Sequence, residues 1–161
     1  MAEQKNNGRD ETELERLDRN LNELLGELRV ALPGVQVLFA FLLAVPFNTG
    51  FARATDFQEH VYLVTLLLTA GATALLIAPS AYHRIQFRQG DKAHIVNVAN
   101  RFAIAGFAFL AAAMSSAVLL VTDYLFSSTT AVICTAGVAV ALYGLWYGAP
   151  LLRRANGSSG D

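Results

Sequence analysis

The feature that most constrains this fold is the distribution of charge along the chain. Four stretches of more than 20 residues contain no Asp, Glu, Lys or Arg. They are bounded by Arg29 and Arg53, by Glu59 and Arg84, by Arg101 and Asp123, and by Asp123 and Arg153. A helix on a soluble protein exposes polar residues at every turn, whereas a helix that crosses a bilayer needs about 20 apolar residues. The stretches also lack the alternation of a transmembrane strand, so they predict four transmembrane helices.

We predict an all-α fold, an integral membrane bundle of four transmembrane helices in two hairpins, preceded by an amphipathic cytoplasmic helix. Pro33 is expected in the first turn of the first span, and Pro79 is expected to close the second. The predicted organisation is a disordered tail (1–10), the amphipathic helix (11–29), the transmembrane domain (30–152) and a flexible tail (153–161). The spans are residues 30–47, 61–78, 102–121 and 131–152.

The amino-terminal segment carries a leucine stripe with the a/d spacing of two heptads. Its members are Leu14, Leu17, Leu21, Leu24 and Leu28. Thr12 and Glu15 fit a capping box at its start. Three interpretations stay open: a surface helix docked on its own bundle, a coiled coil with a second copy, and a membrane-surface anchor. The segment has more acids than arginines, which disfavours the anchor because interfacial helices usually carry a basic polar face.

Small residues recur at helical spacing within the spans. The clearest stripe lies in the fourth span and consists of Gly137, Ala141, Gly144 and Gly148. In lipid such stripes let helix backbones approach closely, because packing replaces the hydrophobic drive between helices. We therefore predict a helix-packing face there. Shorter stripes occur in the second span, at Ala70, Ala74 and Ala78, and in the third, at Ala108, Ala112 and Ser116.

Gln36 is the strongly polar side chain well inside the first span. Because an amide in hydrocarbon needs a hydrogen-bonding partner, we predict an intramembrane polar contact between Gln36 and a neighbouring helix. Contact with a substrate or an ion is the alternative. Outside the membrane, Thr55 and Gln58 form a second capping box, so the second helix is expected to begin before its span.

The segment from Ala81 to Arg101 is the long polar stretch between the two apolar halves. Aromatic and aliphatic side chains alternate with cations there, as in a loop that lies on a membrane surface. The candidate lipid-headgroup contacts are His83, Arg84, Arg88 and Lys92. The alternatives are charge that merely sets the topology and a specific protein partner.

The distribution of basic residues predicts the orientation. Of the 12 Lys and Arg residues, Arg53 lies between the first and second spans, and the others lie in the terminal segments and the middle loop. Cytoplasmic segments are enriched in Lys and Arg, so both termini are predicted to be cytoplasmic. The loops at 48–60 and 123–130 are then outside.

The sequence predicts no catalytic, cofactor-binding or metal-binding residues. No Asp or Glu falls inside a span, although an ion-coupled exchanger needs a titrating group there. The histidines flank the spans instead of facing one another within them, and the single cysteine, Cys134, is expected to be a packing residue. The net charge of −1 says nothing about nucleic acid, and no nucleic-acid partner is expected. An enzyme is therefore not expected.

Two runs carry a family resemblance, ELRVALPGVQVLFAFLLAVPF at 27–47 and APSAYHRIQFR at 78–88. They resemble a family of small four-span bacterial membrane proteins of unknown function, family 6328 among the domains of unknown function. Pro33 departs from the polar residue typical of that family. The resemblance implies a bacterial plasma membrane protein, and some members carry an automatic label of sodium:proton antiporter.

We expect a structural or accessory component that self-associates or joins a larger membrane complex. Its expected partners are the lipid bilayer and a second copy of the chain or another membrane protein. A small transporter and an anionic-lipid-binding protein are the alternatives. The missing intramembrane carboxylate favours the accessory component over the transporter.

Overall fold

In the computed structural model, residues 12–86 and 92–157 are described, and their backbone is helical except for short connections. The α-helices are α1 (Glu13–Ala44), α2 (Asp56–Gln86), α3 (Lys92–Leu125), α4 (Ser128–Tyr143) and α5 (Ala149–Gly157). Two 3-10 turns, Val45–Phe47 and Phe51–Arg53, connect α1 to α2. A π-helical turn, Gly144–Gly148, joins α4 to α5. The predicted tail at 1–10 and Asp91 lie outside the described residues.

Four helical segments are long and apolar enough to cross a membrane. They are Glu15–Phe47, Asp56–Tyr82, Ala93–Leu125 and Ser128–Arg153. The predicted all-α bundle of four membrane-spanning helices is therefore confirmed. We call the end of the bundle that holds the amino terminus of α1 the proximal end and the opposite end the distal end. The connections at 45–55 and 126–127 lie at the distal end, because successive long helices run in opposite directions.

Helix α1 continues through the predicted boundary at residue 30 without a break. Its four buried apolar side chains are Leu21, Leu28, Val35 and Leu42, which are seven residues apart. One heptad face therefore packs along the whole helix, from the predicted amphipathic segment into the first span. The expectation that Pro33 begins a helix is wrong, because Pro33 lies inside α1. The proline is exposed, and the buried contacts on both sides of it hold the helix together.

The proximal part of α1 docks on its own bundle. Leu21 forms a buried cluster with Ile95 and Ala99 of α3, and Tyr82 of α2 packs against this cluster. Leu28 belongs to the next cluster along the bundle, with Leu76. Thr12 caps the helix as predicted, since its Oγ1 accepts from Glu15 N at 3.3 Å and its N donates to Glu15 Oε2 at 2.8 Å. Of the three interpretations of the leucine stripe, the structure shows the first.

The core of the bundle lies between α2 and α3. The buried residues of α2 recur at intervals of four and three: Thr65, Thr69, Ala72, Leu76 and Pro79. They face small residues of α3, including Ala99, Ala103 and Ala113. A Cβ atom on Gly71 would lie 2.8 Å from Phe109 Cδ1, and one on Gly106 would lie 2.7 Å from Leu76 Cδ2. The side chains of Phe109 and Leu76 therefore occupy the space that a Cβ atom would need at these two glycines.

Two sequence expectations about α2 need correction. Pro79 does not end the helix, which continues to Gln86 with Pro79 fully buried inside it. The predicted stripe of Ala70, Ala74 and Ala78 lies beside the true packing face and is only partly buried or exposed. Tertiary packing explains both differences, because the face that contains Pro79 is the one that α1 and α3 cover.

The fourth helix is attached to one neighbour. In the described part of the chain, α4 contacts α3 and neither α1 nor α2. Ala131 is its buried residue, and Val132, Ile133 and Val140 are largely exposed. The predicted fourth span is thus not one α-helix but α4, the π-helical turn and α5 in succession.

The close approach of α2 and α3 predicts the effect of adding one methyl group. Gly106→Ala should lower the melting temperature in detergent, because overpacking a fitted contact costs about 1–3 kcal/mol. Gly34→Ala is the matched control, since nothing lies within 4 Å of its added Cβ. The control should gain up to about 1 kcal/mol from helix propensity. Thermal unfolding followed by circular dichroism measures the melting temperatures of both variants. Equal shifts in the two melting temperatures would contradict the packing model.

Candidate functional sites on the bundle surface

The predicted lipid-headgroup contacts are only partly visible. Arg84 is exposed near the proximal end of α2. Arg88 and the side chains of His83 and Lys92 lie outside the described residues. The headgroup site in the middle loop therefore stays a prediction.

Gln36 lies on the outer surface of α1. It is exposed, as are Val37 and Phe41, which are 56% and 70% accessible. The position follows from Val35, since the next residue along a helix is turned by about 100° from the buried face. In the described part of the chain the predicted contact between Gln36 and a neighbouring helix is not formed. Contact with a substrate or an ion, the alternative interpretation of Gln36, stays a prediction.

The predicted packing stripe of α4 also faces away from the bundle. Gly137, Ala141 and Gly144 are exposed, and nothing lies within 4 Å of a Cβ added at either glycine. At Gly148 the nearest atom is the Tyr143 carbonyl oxygen at 3.8 Å. The stripe therefore packs on no helix of its own chain in the described residues. Its exposed surface is open to the bilayer or to another molecule.

A polar network closes the distal end of the bundle. Gln58 Nε2 donates to Asp123 Oδ2 at 3.0 Å, and Ser128 Oγ donates to Asp123 Oδ1 at 3.3 Å. Gln58 Oε1 accepts from Thr55 N at 3.2 Å, while Gln58 N donates to Thr55 Oγ1 at 3.3 Å. The predicted capping box is confirmed, and its glutamine also ties α2 to α3 and the start of α4. Sequence reasoning found the cap but missed Asp123, because the two residues are 65 positions apart.

An open cavity of about 390 Å³ lies beside this network. It is lined mainly by apolar residues of the α1–α2 connection and of the end of α3, such as Val45, Phe51, Leu120 and Tyr124. Tyr124 Oη donates to the Gly50 carbonyl at 3.3 Å, which holds the connection against α3. The cavity suits an apolar group, and Gln58 supplies an amide at its wall.

A second cavity, of about 320 Å³, opens at the proximal side of α4. It is lined by Ile104, Phe107, Trp146 and Tyr147, and we call it the α3–π cleft. The rings of Phe107 and Trp146 meet edge to face, with centroids 5.7 Å apart. Nothing in the sequence indicated the π-helical turn that precedes α5.

The hydroxyl groups inside the spans bond mainly to the protein itself. Thr65 Oγ1 bonds to the Val61 carbonyl at 2.7 Å and to Ser116 Oγ at 2.6 Å. Thr69 and Thr73 donate to carbonyls one turn back. Among the described residues no group of three or more His, Cys, Asp or Glu side chains is arranged to hold a metal ion.

Comparison with known proteins shows which family this is. A family described as a family of unknown function, DUF6328, matches residues 10–150. The match covers most of the chain, so the protein belongs to this family. No curated protein and no solved structure matches the chain significantly.

The distal network predicts an energetic coupling between Gln58 and Asp123. In a double-mutant cycle of Gln58→Ala and Asp123→Ala, the interaction energy should be about 1–2 kcal/mol. A hydrogen bond to a charged group is stronger than one between neutral groups, but the partial exposure of Asp123 limits its strength. Gln58→Ala also removes the cap of α2, but it does so both with and without Asp123→Ala, so this loss cancels in the cycle. The interaction energy is measured by unfolding each variant in detergent. A second cycle, of Gln58→Ala and Ser127→Ala, serves as the control, and the changes in unfolding free energy of these two substitutions should be additive. If the changes are additive in both cycles, the network is contradicted.

Proposed function

We propose that this member of the DUF6328 family is a non-enzymatic membrane component that self-associates through α4. The observation that carries the proposal is that α4 contacts α3 alone while its stripe of Gly137, Ala141, Gly144 and Gly148 faces outward. In lipid, a small-residue stripe allows the close backbone contact that holds helices together. A second copy of the chain is the proposed occupant, and another membrane protein is the alternative outcome of the test.

Helix geometry supports a contact on this face. The side of α4 that packs on α3 contains Ala131, Thr135 and Leu142, and the stripe lies well over a quarter-turn away from it. A partner could therefore approach the stripe without displacing α3. Gln36 on α1 is a second group that faces outward, and its amide can both donate and accept hydrogen bonds.

Ion exchange is the less supported function. A coupled exchanger needs an intramembrane group that alternates between a proton and an ion. Asp123 is the carboxylate nearest a span, and it lies in the distal network, held by Gln58 and Ser128. The hydroxyls of Thr65, Thr69 and Ser115 are bonded to backbone carbonyls, and such groups do not titrate near neutral pH.

The proposed location is a bacterial plasma membrane, with both termini in the cytoplasm. The support is the concentration of Lys and Arg at the proximal end, in the terminal segments and between α2 and α3. Arg53 belongs to the distal connection. The distal network and its cavity would then face the outside of the cell.

Self-association predicts different outcomes for two alanines of α4. Ala141→Leu, in the stripe, should shift the protein from dimer to monomer, because overpacking a fitted interface costs about 1–3 kcal/mol. Ala136→Leu is the matched control: this residue is also exposed, but it lies on the opposite flank of the helix. Native mass spectrometry from mild detergent measures the assembly. A monomeric parent protein, or equal masses for the two variants, would contradict the proposal, and a stable complex with a different membrane protein would favour the alternative.

The orientation predicts which engineered cysteines meet an impermeant thiol reagent on intact cells. In a Cys134→Ala background, Thr49→Cys and Ser127→Cys should be labelled, since both positions are exposed at the distal end. Asn20→Cys, exposed near the proximal end, should react only after the cells are opened. If Asn20→Cys alone were labelled on intact cells, the orientation would be the reverse of the one proposed.

A further inference from the structure

Helices α3 and α4 diverge toward the proximal end of the bundle. Helix α4 packs on α3, but no Cα atom of the π-helical turn or of α5 lies within 8 Å of a Cα atom of α3 in the described residues. A π-helical turn inserts an extra residue into a helix, and such turns are frequent at functional sites. The divergence opens the α3–π cleft at the depth where the third span begins.

Tyrosine side chains form hydrogen bonds across the gap between the divergent helices. Tyr143 Oη donates to the Ala108 carbonyl at 2.9 Å, and Tyr147 Oη donates to the Ile104 carbonyl at 2.6 Å. The Tyr143 bond lies on the distal side of the cleft, and the Tyr147 bond joins two of the residues that line it. Ile104, Phe107 and the Trp146 ring form its apolar wall. Trp is typical of the boundary between the hydrocarbon and headgroup layers.

Exposed polar and basic residues follow the cleft in the proximal direction on both α3 and α5. Asn97, Asn100 and Arg101 precede Ile104 by seven, four and three residues, so they lie on the same face of α3. All three are exposed. Arg153, on α5, is exposed six residues beyond Tyr147. Neither α5 nor the first turns of α3 contain an Asp or Glu.

We propose that the α3–π cleft binds one acyl chain of an anionic phospholipid, with the headgroup phosphate held by Arg101 and Arg153. The apolar wall matches the chain, and both arginines are exposed on the proximal side of it. A soluble anion would not use the apolar wall, and a neutral lipid would not need two cations. The site does not depend on self-association through α4. It differs from the candidate headgroup contacts His83, Arg84, Arg88 and Lys92.

The chain offers a direct probe of this site, because Trp146 is its single tryptophan. The protein is placed in phosphatidylcholine vesicles that contain a small fraction of brominated phosphatidylglycerol or, in parallel, of phosphatidylcholine with the same brominated chains. Bromine quenches tryptophan fluorescence at contact. We expect the anionic lipid to bind near Trp146 at least about fivefold more strongly, the effect of roughly one cation near an anionic headgroup.

Three variants locate the interaction. The double variant Arg101→Gln/Arg153→Gln should remove the preference for phosphatidylglycerol. Arg29→Gln is the matched control, an exposed cation on α1, which does not contact α4 in the described residues, and it should keep the preference. Ile104→Phe should fill the cleft and reduce quenching by both lipids; Ile104 is 50% accessible, so the substitution leaves the core untouched.

Several results would overturn the proposal. Equal quenching by the two brominated lipids with the parent protein would show no anionic site. Equal loss of preference in Arg29→Gln and in the double variant would assign the effect to general surface charge. Unchanged quenching in Ile104→Phe would place the acyl chain elsewhere. Circular dichroism of each variant checks that the helices are intact.

Discussion

The close packing of α2 against α3 is the interaction on which the rest of the structure depends. Apolar side chains gain little by leaving lipid, so membrane helices associate through van der Waals contact and hydrogen bonds between close backbones. Gly71 and Gly106 leave room for the side chains of Phe109 and Leu76 between the two helices, and the bond between Thr65 and Ser116 adds a polar link across the contact. Helices α1 and α4 are added to this pair, α1 against both of its members and α4 against α3 alone.

The two added helices are held in different ways, and the difference bears on function. Helix α1 packs a heptad face along its whole length, from Leu21 to Leu42, so its position is determined within the chain. Helix α4 is held by a narrow face and by tyrosine hydroxyls that reach backbone carbonyls of α3. Its other faces remain available, which is why both the proposed self-association and the proposed lipid site involve α4 and its π-helical continuation.

Much of the fold could be predicted because it rests on local patterns. The charge-free stretches identify the spans, and the leucines from Leu17 to Leu28 identify a packing face. The surface sites were harder, because the direction of a side chain depends on which face of its helix the neighbours cover. The stripe at Gly144 and the amide of Gln36 were both expected to meet a neighbouring helix, and both are exposed on the surface of the chain.

By itself the sequence determined that the chain is all-α and carries four helices able to span a membrane, because the cost of placing charge in hydrocarbon is a property of each stretch alone. It also determined the two caps, Thr12 with Glu15 and Thr55 with Gln58, because capping acts within one turn. Tertiary structure decided that α1 runs unbroken past Pro33, that Gln58 bonds to Asp123, and that α4 turns away from α3 at the π-helical turn. Each of these depends on contacts between residues far apart in sequence, and such contacts exist only once the helices have packed.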